Sequence, residues 1–424
     1  MRPAWSIVAV VWVTLGVAYG LYFSFPIFFV PLLEEFHWSR GLTAGALSVS
    51  TVVQGILSPL VGALIDRFGT RPVIVVGVLL LAGSAALTAT VQTPWELYLY
   101  TGVIGAMGMV CLGWVPMGVL VARWFSERRG RMVGIAFSGM GIGIFVIGPL
   151  AQWLIAHWGW RAASVALGVG GLLALLPLVW RFARDPDPRV RPGPRSGATA
   201  PAGTAAAGGH SETTGSWSEG RAPLPPAAPT SPTLKEAMAS RAFWALAAAY
   251  LFTPLAVFPV FTHQVAFAVD LGFPPMFAAS VFGVMGLMSS VGRVVFGLLA
   301  DRVGGPVAAT ISFGCTAGGA LALLLLETSP RPAWLVVYAL LFGLGFGARG
   351  PIITSMATDL FGGRRFGAIY GLMNTGNGLG SAIGPWFGGV VHDVSGSYRV
   401  AFLASVVFSV MGAACFWLAR RRVA

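Results

Sequence analysis

Long apolar runs of about twenty residues dominate this chain, and short polar segments separate them. A helix that crosses a bilayer needs about 20 consecutive apolar residues, whereas a membrane β-strand needs about ten of alternating polarity. The pattern therefore predicts an all-α membrane protein with twelve transmembrane helices in two six-helix bundles. The predicted spans are residues 7–31, 42–64, 73–91, 96–121, 131–155, 161–182, 241–267, 275–299, 306–326, 333–356, 366–391 and 399–419.

The segment between the sixth and seventh spans differs in composition from the rest of the chain. Residues 183–240 are rich in Pro, Gly, Ala and Ser, with scattered arginines. Such a segment cannot bury enough apolar surface to fold, so we interpret it as a disordered cytoplasmic linker. The expected organisation is an N-terminal six-helix bundle over 1–182, the linker over 183–240, and a C-terminal six-helix bundle over 241–424.

Charge is scarce and unevenly placed. Only 10% of the 424 residues are charged while 56% are hydrophobic, which excludes an ordinary soluble domain. Of the 27 lysines and arginines, 21 fall on one side of the predicted membrane, four on the other and two inside spans. The positive-inside rule then places both termini in the cytoplasm, and we assign the protein to a bacterial-type inner (plasma) membrane. Because the net charge of +12 lies in loops, we expect no nucleic-acid partner.

The two halves of the chain repeat each other. Gly62–Gly69, after the second span, matches Gly297–Gly304, after the eighth, at an offset of 235 residues. Gly148-Pro149 matches Gly384-Pro385 at an offset of 236. Nearly equal offsets indicate a parallel duplication of a six-helix unit, so the substrate site is expected midway between the halves.

These features carry a family resemblance. Twelve spans, a cytoplasmic middle loop and the G-x-x-x-D-R-x-G pattern after the second span resemble the major facilitator superfamily. Shorter stretches resemble its monocarboxylate transporters and their oxalate:formate antiporter relatives: Glu35–Arg40, Ala122–Phe125, Arg129-Gly130, His263, Gly292-Arg293, Asp359–Gly362 and Tyr370-Gly371. The resemblance implies two six-helix bundles that rock about a central cavity by alternating access.

Arg293 is the main candidate for substrate contact. It precedes Asp301 by eight residues, so it lies about 12 Å from the cytoplasmic end of its helix, near the midplane of a core about 30 Å thick. No Asp or Glu lies in the interior of a predicted span, so the guanidinium has no obvious carboxylate partner. It can bind a substrate carboxylate, or it can instead bond backbone carbonyls or extend toward water. The resemblance favours the first, since these carriers place an arginine at this point of the eighth helix.

A second arginine, Arg349, lies among glycines and next to Pro351 in the tenth span. It could bond carbonyls freed at a broken helix, or it could face an anion, and the sequence leaves both open. Two cavity arginines would suit a dianion such as oxalate, and one suits a monocarboxylate. By resemblance, oxalate carriers place a lysine in the eleventh helix, and this chain has none there.

Other polar residues within spans could serve the cavity. His263, late in the seventh span, is a candidate for proton coupling because imidazole titrates near neutral pH, although simple hydrogen bonding is the alternative. Tyr19, Tyr22, Asn374 and Asn377 are expected to line the substrate site, and each could instead join helices. By resemblance, the gating motif of the superfamily corresponds to Asp66, Arg67 and Arg71, with Asp301 and Arg302 in the second half.

Several functional classes are disfavoured. Gly139–Gly143 lies inside a span without a preceding strand, and no nucleotide loop is present, so we expect no nucleotide and no cofactor. Nothing in the spans assembles a nucleophile with a base or a metal site, so an enzyme is not expected.

The predicted function is secondary active transport of small organic anions. We predict proton-coupled symport of a monocarboxylate such as lactate or pyruvate by a monomer in the lipid bilayer. One alternative is an antiporter that exchanges two carboxylates, as oxalate for formate. A metabolite efflux carrier and a membrane sensor that keeps the fold are further alternatives.

Overall fold

A computed structural model of the chain describes residues 2–125, 129–183, 233–362 and 366–419. Within these ranges the regular structure is entirely helical, which confirms the predicted all-α class. The disordered-linker prediction for residues 183–240 falls mostly on 184–232, which lie outside the described residues. At its end the prediction is wrong, because Leu234–Ala239 is helical and Thr233 with Glu236 caps the first turn.

The first half of the chain, up to residue 183, forms helices that pack mainly around one long helix. That helix, α9, packs against both α1 and α4, while α3 packs against a π-helical segment. The elements are α1 Arg2–Phe23, α2 Phe25–Phe36, α3 Arg40–Phe68, α4 Thr70–Thr88, α5 Pro94–Leu97, the π-helical segment Tyr98–Gly105, α6 Ala106–Leu112, α7 Trp114–Trp124, α8 Arg129–Phe137 and α9 Gly139–Phe182.

The second half, from residue 233, is built in a similar way. Helix α11 packs against α16 and α17, and α13 packs against α14 and α17. The elements are α10 Leu234–Ala239, α11 Arg241–Asp270, α12 Pro275–Val303, α13 Gly305–Thr328, α14 Pro332–Phe346, α15 Arg349–Phe361, α16 Phe366–Ser395 and α17 Arg399–Ala419.

Ten helices in the described ranges are long and apolar enough to cross a membrane. One of them runs from Met132 in α8 to the end of α9 at Phe182 and is 51 residues long. It bends at Gly159, where φ is 78° and ψ is 162°. A positive φ is open to glycine at little cost, so the chain can turn here between two crossings. The 30-residue helix α16 is not among the ten. The chain is thus a multi-pass membrane protein, and the count of twelve spans stays a prediction.

Of the helix breaks that lie within spans predicted to be continuous, two stand a few residues before a proline. Helix α6 ends at Leu112, and Gly113 is extended with ψ near −152° before α7 begins. Helix α14 ends at Phe346, just before Gly347. Proline has no N–H to donate to the carbonyl four residues earlier, so Pro116 and Pro351 weaken the ladder at these two points. The helices that follow the two breaks begin at Trp114 and at Arg349.

The halves meet along α3 and α16, along α9 and α12, and along α2 and α11. Glycines allow this approach: a Cβ at Gly141 would lie 2.1 Å from the Gly286 carbonyl oxygen. Among the hydrogen bonds and ion pairs described between the halves, those of Arg293 lie nearest the linker end. The described polar contacts between the halves are therefore concentrated toward the predicted outer end.

Candidate substrate site

Arg293 lies on α12, at the junction between the halves. Its Nη1 donates to the carbonyl oxygen of Phe137 in the first half at 3.1 Å, and Nη1 lies 3.0 Å from the Met140 sulfur. Its Nε is buried without a hydrogen-bond partner in the described part of the chain. The ion pairs found in that part involve Arg40 with Asp270 and Arg161 with Glu35. No acidic side chain of the described ranges therefore neutralises Arg293.

A break between α8 and α9 supplies the acceptors that face this arginine. Helix α8 ends at Phe137 and α9 begins at Gly139, so carbonyls at the break lack regular intrahelical donors. Phe137 accepts from Arg293, and the carbonyl of Ser138 accepts from the Ser290 hydroxyl at 2.7 Å. The sequence analysis missed these carbonyls because the fifth span reads as one unbroken apolar run.

The first half adds an aromatic wall to the site. The guanidinium carbon of Arg293 lies 5.7 Å from the centre of the Trp114 ring, and that ring lies 4.7 Å from Phe137. Tyr19 is buried and close enough to Arg293 for electrostatic coupling. The structure thus places Tyr19 near Arg293 and adds Trp114 to their surroundings.

A layer of phenylalanines joins the halves beside Tyr19. The Phe23 ring lies 4.9 Å from Phe261 and 6.4 Å from Phe346, and Phe261 stacks on Phe346 at 5.3 Å. Phe23 also packs edge-on against Tyr19 at 5.5 Å. The layer therefore forms an apolar boundary next to the charged site.

Arg349 has a different environment from Arg293. It is fully buried, and its Nη2 donates to the Thr316 hydroxyl and to the Gly345 carbonyl, both at 2.8 Å. Its guanidinium carbon lies 4.4 Å from the centre of the Phe313 ring. All of these contacts are within the second half, at the break between α14 and α15. In this conformation Arg349 bonds the Gly345 carbonyl, while its Nε and Nη1 are buried without a hydrogen-bond partner in the described residues.

The remaining predicted substrate residues are not gathered around Arg293 in this conformation. The Tyr22 hydroxyl lies 2.7 Å from the Ser50 hydroxyl and accepts from the Gln54 amide at 2.8 Å, so it joins α1 to α3. Asn374 is exposed and Asn377 is half-buried on α16. Neither asparagine has a described contact with Arg293.

His263 is fully buried and hydrogen-bonded at both ring nitrogens. Its Nε2 lies 2.9 Å from the Pro385 carbonyl oxygen, and its Nδ1 lies 3.2 Å from the Tyr398 hydroxyl. A carbonyl can only accept, so Nε2 carries the proton, and Nδ1 accepts from Tyr398. Burial raises the pKa of the Tyr398 hydroxyl, which therefore keeps its proton for this bond.

The predicted gating residues lie at the linker end. Asp66, Arg67, Asp301 and Arg302 are exposed, and among the described residues none of them forms an ion pair. Arg71 instead donates to the Trp180 carbonyl and lies over the Trp180 ring at 4.5 Å, joining α4 to α9. The described contact of Arg71 therefore lies within the first half and does not join the two halves.

Comparison with known proteins agrees with this architecture. The sequence matches the model of the Major Facilitator Superfamily over residues 10–375 and 328–424. Monocarboxylate transporter 13 of Bos taurus is 27% identical over 410 residues, which cover 96% of this chain and 87% of the relative. Monocarboxylate transporter 11 of Homo sapiens is 28% identical (95% and 79% covered), and monocarboxylate transporter 4 of Rattus norvegicus is 27% identical (94% and 79% covered). These matches confirm the resemblance that the sequence motifs carry.

Proposed function

Because the chain belongs to the major facilitator superfamily and is related to monocarboxylate transporters, we propose that it carries small monocarboxylates across the membrane together with a proton. Transport occurs by alternating access, with both termini in the cytoplasm. The names of the relatives support the substrate class, and the cation at the junction of the halves supports the place where it binds.

The observation that carries the proposal is the unneutralised Arg293 guanidinium. A cation deep in the hydrocarbon region costs about 2.5–3.5 kcal/mol or more, so its charge is expected to face water or an anion. Arg293 has an unpaired Nε and no acidic partner in the described residues. A carboxylate can accept two N–H bonds from such a fork, and the substrate then supplies the missing counter-charge.

The environment of Arg293 favours a substrate with one carboxylate. A dianion needs a second cation at the junction, and Arg349 is engaged within the second half instead. Trp114 and the phenylalanine layer that contains Phe23 offer apolar contact to the rest of a small acid. One charged end and one apolar end therefore match a monocarboxylate better than oxalate.

Neutralisation of Arg293 provides a reason for coupling between binding and movement. In this state Arg293 lies at the junction of the halves, on the linker side of the Arg40–Asp270 ion pair. Closure of that side around a bare guanidinium removes water from an unpaired charge, which is costly. With a carboxylate bound, the buried unit is an ion pair, and closure becomes less costly.

His263 is the proposed proton carrier. Neutral His263 satisfies its surroundings, because Nε2–H donates to Pro385 and Nδ1 accepts from Tyr398. A proton on Nδ1 would face the Tyr398 oxygen and force its hydroxyl hydrogen to turn away. The titratable and charged groups around this network are Arg40, Asp270, His392 and Asp393. Proton binding at His263 therefore changes the hydrogen bonding of Tyr398, which contacts His263 in the second half and Arg40 in the first.

We expect His263→Gln to uncouple transport from the proton. Gln has no ionisable group but can still donate to the Pro385 carbonyl. Gradient-driven accumulation of labelled lactate in proteoliposomes is expected to fall to the level without a gradient, while lactate–lactate exchange stays within about twofold of wild type. His157→Gln is the matched control, since the exposed His157 also bonds a backbone carbonyl, that of Trp153. Full gradient-driven accumulation by His263→Gln would rule out His263 as the carrier.

The transport mode is tested by uptake of labelled lactate, pyruvate and benzoate into proteoliposomes. An inward proton gradient without internal substrate is compared with preloaded anion at equal pH. Symport predicts accumulation that follows the proton gradient, with proton entry alongside the anion. Uptake that requires preloaded carboxylate and moves no proton would instead identify an antiporter. Absence of both modes for every monocarboxylate would contradict the proposed substrate class.

A further inference from the structure

The first turn of α3 is capped by the opposite half of the molecule. The N–H groups of a first helical turn lack intrahelical acceptors and need other partners. The Ser39 hydroxyl accepts from the Leu42 N–H at 3.2 Å, as an ordinary N-cap does. The N–H groups of Arg40 and Gly41 donate to the two carboxylate oxygens of Asp393 on α16, at 2.8 and 2.7 Å. Two of these three N–H groups are therefore capped by a residue from the second half of the chain.

The Arg40 side chain makes a second connection at the same place. Its Nη1 and Nη2 donate to the two oxygens of Asp270, at the end of α11, at 2.6 and 3.0 Å. Nη1 also donates to the Tyr398 hydroxyl at 2.7 Å. This two-pronged geometry is the strong form of an arginine–carboxylate pair. Arg40 thus joins the first half to three separate parts of the second: α11, α16 and the turn before α17.

Close packing accompanies these bonds. A Cβ at Gly389 would lie 2.5 Å from the Gly41 nitrogen, and a Cβ at Gly41 would lie 2.7 Å from a Val390 methyl group. Outside this contact is a hollow of about 440 Å³, lined from both halves by residues that include Trp38, Arg40 and His392. The contact therefore separates an outward-facing hollow from the interior of the molecule.

We infer that Arg40, with Asp270, Asp393 and Tyr398, forms an outer latch that must release before Arg293 becomes reachable from the predicted outer side. The inference rests on the alternating-access part of the proposed function. Its location fits, because the described ion pair that joins the halves lies at the end of the molecule opposite the linker. Opening removes the two Asp393 oxygens that cap the first turn of α3, and it separates Arg40 from the Asp270 carboxylate.

The strength of the latch is suited to repeated opening. The Arg40 and Asp270 side chains are 19% and 40% exposed, so water screens their attraction and can replace their bonds. The Asp393 carboxylate gains additionally from the positive end of the α3 dipole. Release of such contacts is reversible, and loss of one carboxylate charge shifts the balance between closed and open states without unfolding the chain.

The test is the rate at which a membrane-impermeant maleimide labels a cysteine beneath the latch. Ser48→Cys serves as the reporter, in a chain whose Cys111, Cys315 and Cys415 are replaced by alanine. The Ser48 hydroxyl accepts from the Trp386 N–H at 3.2 Å on the seam between α3 and α16. Val394→Cys, at an 85% exposed position of the same end, shows which membrane orientation presents this end to the reagent.

Asp270→Asn and Asp393→Asn keep the size of each side chain and remove its charge. We expect each to raise the labelling rate of Ser48→Cys about tenfold, because the rate follows the population of the open state. Glu35→Gln is the matched control: Glu35 bonds Arg161 at 2.5 Å at the same end but within one half, and we expect no change. Exchange of the latch charges, Arg40→Asp with Asp270→Arg, is expected to return the rate toward that of the reference chain.

Unchanged rates in both asparagine variants would overturn the latch, as would an equal rise in Glu35→Gln. The assay needs no substrate, so its result does not depend on which anion is carried. If the latch proposal fails this test, the proposal of lactate transport is still tested separately by the uptake assay. A failed uptake assay likewise leaves the labelling result intact.

Discussion

Replacement of Arg293 by alanine is expected to abolish carboxylate transport. The variant removes the guanidinium that donates to Phe137 and that we propose to pair with the substrate. Loss of one partner of a desolvated, hydrogen-bonded charge pair costs about 2–5 kcal/mol, so kcat/KM for lactate uptake is expected to fall by about 1.5 to 3.5 orders of magnitude. Arg293→Lys, which keeps the charge and loses the fork, is expected to fall between wild type and Arg293→Ala.

Arg349→Gln is the control that separates substrate binding from folding. Arg349 bonds Thr316 and Gly345 inside the second half, so its replacement is expected to lower the yield of folded protein. The KM of the protein that folds is expected to remain that of wild type. Equal losses of lactate affinity in the Arg349 and Arg293 variants would show that both arginines serve the anion. Wild-type uptake by Arg293→Ala would remove Arg293 from the site.

A methyl group at Gly143 is expected to destabilise the first half. Helices α1 and α9 touch backbone to backbone here, and a Cβ at Gly143 would lie 1.8 Å from the Gly16 carbonyl oxygen. Backbone cannot rotate away as a side chain can, so the helices must separate along their contact. Overpacking of this kind costs about 1–3 kcal/mol or more, and the thermal midpoint of Gly143→Ala is expected to fall by several degrees.

Gly170→Ala provides the comparison on the same helix. A Cβ at Gly170 meets nothing within 4 Å, and alanine is the better helix former by about 0.8–1.0 kcal/mol. Its thermal midpoint is expected to equal or exceed that of wild type. If both variants melt together in a tryptophan-fluorescence or dye-based assay, the backbone contact between α1 and α9 does not contribute as described.

The general architecture could be predicted because the bilayer imposes a simple rule. Apolar runs long enough to cross it must be helical, and a parallel repeat indicates two related halves. The depth of Arg293 followed from a count of residues to Asp301, and the structure places this arginine at the junction of the halves. The breaks at Gly113, Ser138 and Gly347 could not be read in the same way, because each lies within a continuous apolar run.

Side-chain directions were the least predictable feature. Tyr19 and Tyr22 differ by three positions on one helix, yet one is coupled to Arg293 and the other bonds Ser50. Which face points to the cavity is decided by packing against other helices, and the sequence gives no direct sign of it. Arg349 is similar, since the helix break that engages it exists only in the folded chain.

The latch residues were missed for a different reason. Arg40, Asp270 and Asp393 lie at the ends of spans, where charged residues usually meet water. Nothing in their local sequence separates them from ordinary loop charges, and they come together from positions more than 200 residues apart. Only the tertiary fold shows that an aspartate of one half caps a helix of the other.

The central claim is that Arg293 binds the carboxylate of the substrate, and equilibrium binding tests it without dependence on coupling or direction. Labelled lactate, pyruvate and benzoate are titrated against purified wild-type protein and Arg293→Ala, with lactamide as the uncharged competitor. The account predicts saturable binding of at least one acid to wild type, competition by other monocarboxylates but not by lactamide, and no measurable binding to Arg293→Ala. Equal affinity of wild type and Arg293→Ala for the same acid would contradict it.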